Sequence, residues 1–210
     1  MATNPTGPSR IPLLQRVKNI LTTPKTEWPV IDSEPDSVGG IYKYYVMVLA
    51  AIGPVCMLLG LLLFGMPFVS FSIGFLLAQA VLSYVMALIG CYVLALIIDA
   101  LAPTFGGNKD MVKAFKVAAY SSTAAWVVGI FYLLPMLAIL GIIGGIYSLY
   151  LMYLGLPVLM KAPADKAVAY AAAIIVAAIV IYLVIGMITG QILAAMMPAP
   201  TMTLPAGFPG

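Results

Sequence analysis

The stretch VAAYSSTAAWVVGIFYLLPMLAILGIIGGIYSLYLMYLGLPVLM, residues 117–160, decides how this chain folds. It runs for 44 residues without a charged side chain. One membrane crossing takes about 20 apolar residues, because a helix rises about 1.5 Å per residue through a hydrocarbon core about 30 Å thick. The stretch is therefore too long for one crossing and predicts two. Pro135 is the expected hinge, since proline breaks the helical hydrogen-bond ladder.

The rest of the chain extends this pattern to a five-helix membrane bundle of the all-α class. Apolar residues make up 63% of the sequence and charged residues 8%. Soluble domains average about 45–50% and about 25%, so this chain has too little polar surface for water. The predicted spans are residues 44–65, 72–98, 117–134, 136–160 and 167–190, which together form one membrane domain over 44–190.

The placement of charge tests this count independently. All charged residues fall in residues 1–43, between the second and third spans, or between the fourth and fifth. The link 66–71, the Pro135 hairpin and the Pro-rich tail 191–210 have none. Because short loops rich in Lys and Arg stay in the cytoplasm, residues 1–43 are expected inside and the tail outside. A single crossing over 117–160 would instead have placed Lys161 and Lys166 outside.

A short amphipathic helix is predicted at about residues 12–22, before the first span. Its apolar face carries Leu13, Leu14, Val17, Ile20 and Leu21, and Gln15, Arg16, Lys18 and Asn19 lie opposite. A basic amphipathic helix of this kind is expected to lie in the membrane interface, and packing beneath the bundle is an equally weighted alternative. Residues 22–40 are expected to form an irregular link, with Trp28 as an interface anchor.

Composition argues against several functions. The chain has no histidine, which excludes histidine-based triads and metal sites and leaves no catalytic residue, metal or cofactor to predict. A net charge of +3, scattered along the chain, does not suit a nucleic-acid surface. The loop at residues 104–109 is glycine-rich but lacks the Gly-Lys-Ser/Thr ending of a phosphate-binding loop, so we interpret it as a turn. We expect no enzyme.

Polar residues in the spans give a second set of candidates. Gln79, Asp99, Tyr120 and Tyr147 are a candidate intramembrane cluster. Asp99 ends the second span, and a helix-end ion pair with Lys113 or Lys116 is favoured over a role in contacting substrate. The pairs Gly141 and Gly145, and Gly186 and Gly190, have Gly-x-x-x-Gly spacing, which favours close helix packing inside the bundle or between copies.

Several stretches, taken in order, resemble a known family. Residues 23–28 contain Thr-Pro and Glu-Trp after a short amphipathic helix, Phe-Gly-Gly stands at 105–107, and Ala-Tyr-Ser-Ser-Thr-Ala stands at 119–124. The strongest likeness is LGIIGGIYSLYLMYLGLP at 140–157, followed by Met-Lys-Ala-Pro at 160–163. Together they resemble the Yip domain (Ypt-interacting protein) family, in its bacterial-type branch.

The resemblance implies a five-helix bundle with a cytoplasmic N-terminus, in the inner membrane if the bacterial branch holds. Eukaryotic relatives of this family bind small GTPases of the Rab type. This sequence lacks their long cytoplasmic region, and their Asp-Leu-Tyr-Gly-Pro motif is reduced to Ile-Gly-Pro at 52–54. A Rab-type partner is therefore not carried over.

Two functions remain. The leading hypothesis is a non-enzymatic membrane organiser or scaffold whose basic cytoplasmic face, with Arg16, Lys18, Lys113 and Lys116, binds membrane lipid or a cytoplasmic protein, with self-association through the glycine faces left open. The alternative is a small transporter or channel. It requires a wet cavity around Gln79, Tyr120 and Tyr147 with Asp99 at its mouth.

Overall fold

The computed structural model describes residues 11–65 and 72–196, and the regular elements in these residues are all helical. Five helices are long and apolar enough to cross a membrane: Val38–Phe64, Ile73–Phe105, Met111–Leu133, Leu140–Met160 and Asp165–Met196, here the first to fifth spans. The predicted all-α bundle of five membrane helices is confirmed. Residues 66–71 of the predicted outer link and 197–210 of the predicted tail lie outside the described residues.

The long uncharged stretch does contain two spans. The third span ends in a 3-10 turn, Gly129–Leu133, and a second short turn, Pro135–Leu137, precedes the fourth span. Between them Leu134 is extended, with φ −108° and ψ 103°. Proline disfavours helical geometry in the residue before it, so the chain reverses at this point.

Four of the five spans extend further than hydropathy predicts, whereas the fourth begins at Leu140 rather than at residue 136. The third begins at Met111, because Asp110 caps it by accepting hydrogen bonds from the amides of Val112 and Lys113, both at 3.0 Å. The fifth continues past residue 190 to Met196, since the sequence there holds good helix formers and no proline before Pro198.

Two helices, α1 (Leu13–Thr22) and α2 (Pro24–Ser33), precede the first span. The expectation of an irregular link over residues 22–40 is wrong, because α2 occupies most of it. Pro24 suits the first helical turn. Trp28 is not an interface anchor but is fully buried, and this burial outweighs the weak helix propensity of the segment.

Helix α1 packs beneath the bundle, which was the alternative to an interfacial position. Ile20 is completely buried and Leu14 faces outward, 80% exposed. In the bundle itself the third span is central, since 67% of its apolar window is buried, against 17% for the fifth span. The N-terminal helices and the charged connections thus meet at one end of the bundle, here called the charged end.

Candidate functional site

Arg16 of α1 occupies the middle of the charged end. Its guanidinium forms hydrogen-bonded ion pairs with Glu27 and Glu34 and lies 5.7 Å from the centroid of the Tyr120 ring. Only 4% of the residue is exposed. Burial by itself lowers the pKa of Arg16, but the hydrogen bond and charge of Glu34, with the charge of Glu27, outweigh it and raise that pKa. Arg16 is therefore a permanently charged internal group that joins α1 to α2.

Lys116 of the third span holds the other end of α2. Its ammonium donates hydrogen bonds to the carbonyl oxygens of Ile31, at 2.7 Å, and Glu34, at 2.5 Å. The last carbonyls of a helix lack intrahelical partners and carry partial negative charge, so a buried cation is stabilised there. Lys116 thus caps the C-terminus of α2 from inside the bundle.

Asp32 links α2 to the third span and to the residue that follows the fourth span. Its carboxylate lies 2.9 Å from the Lys113 ammonium and 2.6 Å from that of Lys161. Burial by itself raises the pKa of Asp32, but the hydrogen bonds and charges of Lys161 and Lys113 outweigh it and hold that pKa below its usual value. The contacts made by Arg16, Lys116 and Asp32 fix α1 and α2 against the bundle.

These positions correct the predicted basic face. Arg16 and Lys116 are buried and Lys113 is half-buried, whereas Lys18 is exposed. Hydropathy could not predict this burial. The carboxylates and helix-end carbonyls that bind Arg16, Lys116 and Lys113 come from α2, and α2 was not identified as a helix from the sequence. Of the four, Lys18 is the residue that lies on an accessible surface.

The remaining positive and negative side chains differ in their exposure. Six lysines of the charged end are exposed, and we call them the lysine rim: Lys18, Lys25, Lys43, Lys109, Lys161 and Lys166. Among the carboxylates of residues 11–65 and 72–196, Asp165 alone is exposed, and the other six are buried or half-buried. At this end, exposed positive side chains therefore outnumber exposed negative ones.

The predicted intramembrane cluster is not one site. Tyr120 packs edge-on against Tyr45, with ring centroids 4.6 Å apart, near Arg16. Tyr147 donates a 2.7 Å hydrogen bond to the carbonyl of Leu21 and so ties the fourth span to α1. Asp99 is buried, and its nearest charged partner is Lys109 at 3.9 Å rather than Lys113 or Lys116.

Gln79 lies elsewhere, on a cavity of about 500 Å³ within the spans, here called the central cavity. All five spans contribute to its walls, which are mainly apolar. Asp99, Tyr120 and Tyr147 do not line it. A transporter was predicted to have a wet cavity around Gln79, Tyr120 and Tyr147, with Asp99 at its mouth. Of these four residues, Gln79 lines the central cavity.

The four glycines that were predicted to serve helix packing have different surroundings in the structure. A Cβ built on Gly141 would lie 2.2 Å from the Tyr132 hydroxyl, so this glycine serves packing inside the bundle. Gly145, Gly186 and Gly190 have no neighbour within 4 Å of such a Cβ. Gly145 lines the central cavity. In the part of the chain that the structure describes, no group of three His, Cys, Asp or Glu side chains is placed to hold a metal ion.

Comparison with known proteins gives one match. The family model described as the Yip1 domain matches residues 18–186, which is most of the chain and includes α2, the four connections between the spans and the five spans up to residue 186. No curated protein and no solved structure shows significant similarity to the chain.

Proposed function

The chain belongs to the Yip1 domain family and is a multi-pass integral membrane protein, and from this premise we propose that it is a non-enzymatic membrane organiser that gathers anionic lipid at its lysine rim. The rim faces the cytoplasm in this proposal, as the positive-inside rule expects. If the resemblance to bacterial-type relatives holds, the membrane is the bacterial inner membrane.

The observation that carries the proposal is the unequal exposure of the two signs of charge. Six lysines of the rim are exposed against one carboxylate, Asp165. The anionic lipids of a cytoplasmic leaflet attract basic residues near the surface by about 1 kcal/mol for each Lys or Arg. A rim of this size, held on one rigid end of the bundle, would concentrate anionic headgroups around the protein.

The ion pairs and hydrogen bonds of Arg16, Lys116 and Asp32, here called the internal network, hold part of the lysine rim in place. Arg16, Lys116 and Asp32 fasten α1 and α2 to the spans, and these two helices carry Lys18 and Lys25. Glu27 pairs with the buried Arg16. Within the rim, Lys161 pairs with Asp32 and Lys109 lies 3.9 Å from Asp99. The same rim also suits an acidic cytoplasmic protein, which is the competing partner for this surface.

The experiment is lipid enrichment. The protein is reconstituted in nanodiscs of mixed phosphatidylcholine and phosphatidylglycerol, and the lipid that stays bound after mild extraction is measured. A variant with Lys18→Gln, Lys25→Gln, Lys109→Gln and Lys166→Gln should retain much less phosphatidylglycerol, whereas arginine at the same four positions should preserve retention. Equal retention by the glutamine variant and the wild type would refute the lipid role.

Self-association is a further part of the proposal. Gly186 and Gly190 lie on the least buried span and face open space, and small residues let membrane helices approach closely. We expect a dimer through this face. Gly186→Leu with Gly190→Leu should reduce cross-linked dimer in membranes, and Gly74→Leu, at another open position, should not.

A small transporter stays the second candidate because of one observation, the central cavity with Gln79 in its wall. Solute flux into proteoliposomes that disappears in Gln79→Leu would support it. Absence of flux for neutral and charged solutes alike would remove it.

A further inference from the structure

The central cavity is too large to be a packing defect. Native interiors contain few voids larger than a water molecule, because every void forfeits van der Waals contacts. About 500 Å³ lies instead within the range of ligand pockets, about 300–1,000 Å³. The central cavity is therefore large enough to hold a ligand.

The shape of the cavity suits a single chain. Its lining runs from Ala50 to Leu61 on the first span and from Gly141 to Met152 on the fourth. Eleven residues of helix rise about 16 Å, so the cavity is a slot along the helices that spans about half of the hydrocarbon core. Its volume over that length leaves room for one hydrocarbon chain rather than for a broad ring system.

Charge excludes ionic occupants. Among the described residues that line the cavity none is charged, and most are apolar. Two serine hydroxyls of the lining already have protein partners. Ser122 donates to the carbonyl of Ala118 at 2.8 Å, and Ser148 accepts from the amide of Ala125 at 3.0 Å.

Gln79 differs from these serines. Its amide makes a weak contact of 4.0 Å with the sulfur of Met57. A primary amide has two donors and an acceptor, and leaving them unpaired in a membrane interior costs free energy. Gln79 lies six residues after Ile73, about 9 Å from the uncharged end of the second span. The polar group of the occupant is therefore expected near that end.

We propose that the central cavity binds one hydrocarbon chain of a lipid, whose uncharged hydroxyl or ester carbonyl hydrogen-bonds to the Gln79 amide. The chain has two sources of the same chemistry: a phospholipid of the bilayer, which inserts one of its chains, or a free neutral lipid such as a fatty alcohol. This site is separate from the lysine rim and does not depend on it.

The test uses Trp126, which lines the cavity and is one of two tryptophans in the chain. Bromine on a hydrocarbon chain quenches indole fluorescence at contact. The purified protein is titrated with a brominated fatty alcohol in detergent, and is separately reconstituted in phosphatidylcholine with brominated chains. Trp126→Phe identifies the part of the signal that comes from Trp126.

Two variants make the test specific. Gly145→Leu places a side chain in the open space of the cavity and should reduce quenching of Trp126 at least threefold. Gly74→Leu, which is equally open but not on the cavity, is the matched control and should not change it. Gln79→Leu should weaken binding of the alcohol about fivefold, the usual worth of one hydrogen bond, and leave binding of the matching bromoalkane unchanged.

Quenching by the reconstituted phospholipid alone identifies a bilayer chain as the occupant, and saturable quenching by the alcohol identifies a free neutral lipid. Equal quenching in Gly145→Leu and the wild type would overturn the proposal. It would also be overturned if aqueous acrylamide quenched Trp126 and brominated chains did not, because the cavity would then be filled with water. Thermal unfolding of both glycine variants checks that they fold.

Discussion

Trp28 of α2 packs directly against Gly155 of the fourth span: a Cβ built on Gly155 would lie 2.7 Å from Cζ2 of the indole. The indole is fully buried, so it has no room to move away. This contact places α2 beneath the fourth span, together with its carboxylates, the buried Glu27 and the half-buried Asp32. The packing of Trp28 against Gly155 therefore helps to determine where the charges of α2 lie.

Gly155→Ala should destabilise the protein by about 1–3 kcal/mol, the usual range for overpacking a well-packed interior. Chemical unfolding in detergent measures it. Gly145→Ala is the control, because the same helix has open space at that position. A loss of stability that is equal in the two variants would mean that Trp28 does not occupy this position.

Arg16→Gln should release α1 and α2 from the bundle. Removal of one partner leaves the buried Glu27 carboxylate without its cation, and breaking a buried pair in this way costs about 3–5 kcal/mol. Hydrogen exchange in α1 and α2 should become faster, and Lys18→Gln, an exposed site two residues away, should leave it unchanged. If the two variants exchange alike, Arg16 does not hold these helices.

Acid should loosen α2 through Asp32. Since its pKa is lowered in the folded protein, the ionised form stabilises the fold above the ordinary carboxyl value of about 3.9, and this stability is lost as pH falls through the lowered value. The emission of Trp28, measured in a Trp126→Phe background, should shift to the red in that acidic range.

Two variants separate Asp32 from the other carboxylates. Asp32→Asn should remove a part of the acid transition at the cost of lower stability at neutral pH, because Lys113 and Lys161 lose their partner. Asp165→Asn changes an exposed carboxylate and should leave the transition intact. An unaltered transition in Asp32→Asn would assign the acid response to other groups.

Salt should distinguish the lysine rim from the central cavity. The Debye length falls from about 30 Å at 0.01 M to about 3 Å at 1 M, so enrichment of phosphatidylglycerol at the rim should fall over that range. Binding of the brominated alcohol should not, since the lining of the cavity carries no charge among the described residues. Lipid enrichment that is independent of salt would contradict an electrostatic rim.

The number of spans was predictable because it depends on local properties of the sequence. The run at 117–160 is too long for one crossing, and Pro135 reverses it as expected. Asp110 was counted as a loop charge, but its cap starts the third span there and brings Lys113 and Lys116 into the helix. A hydropathy boundary cannot include charges that are neutralised by partners from another helix.

The sequence predicted which charged residues lie at the charged end, but not how they are arranged there. The charged residues of the network were all predicted to lie on one side of the membrane, and they lie at one end of the bundle. Tyr120, which packs near Arg16, was predicted to be part of an intramembrane cluster. Which lysines are exposed depends on α2, and α2 forms because Trp28 and Ile31 are buried against distant spans. Tertiary contacts of this kind leave no periodic signal in ten residues that include Pro24 and Pro29.

The central claim is that the lysine rim faces the cytoplasm from one end of a five-span bundle. Single cysteines at Lys25, Lys109 and Lys166, and one at Ser72 beside the opposite end, are introduced after Cys56→Ala and Cys91→Ala and treated with a membrane-impermeant maleimide. In intact cells, Ser72→Cys should react and the three rim cysteines should react only after permeabilisation. Reaction of the rim cysteines in intact cells, or reaction of all four positions from one side, would contradict the account.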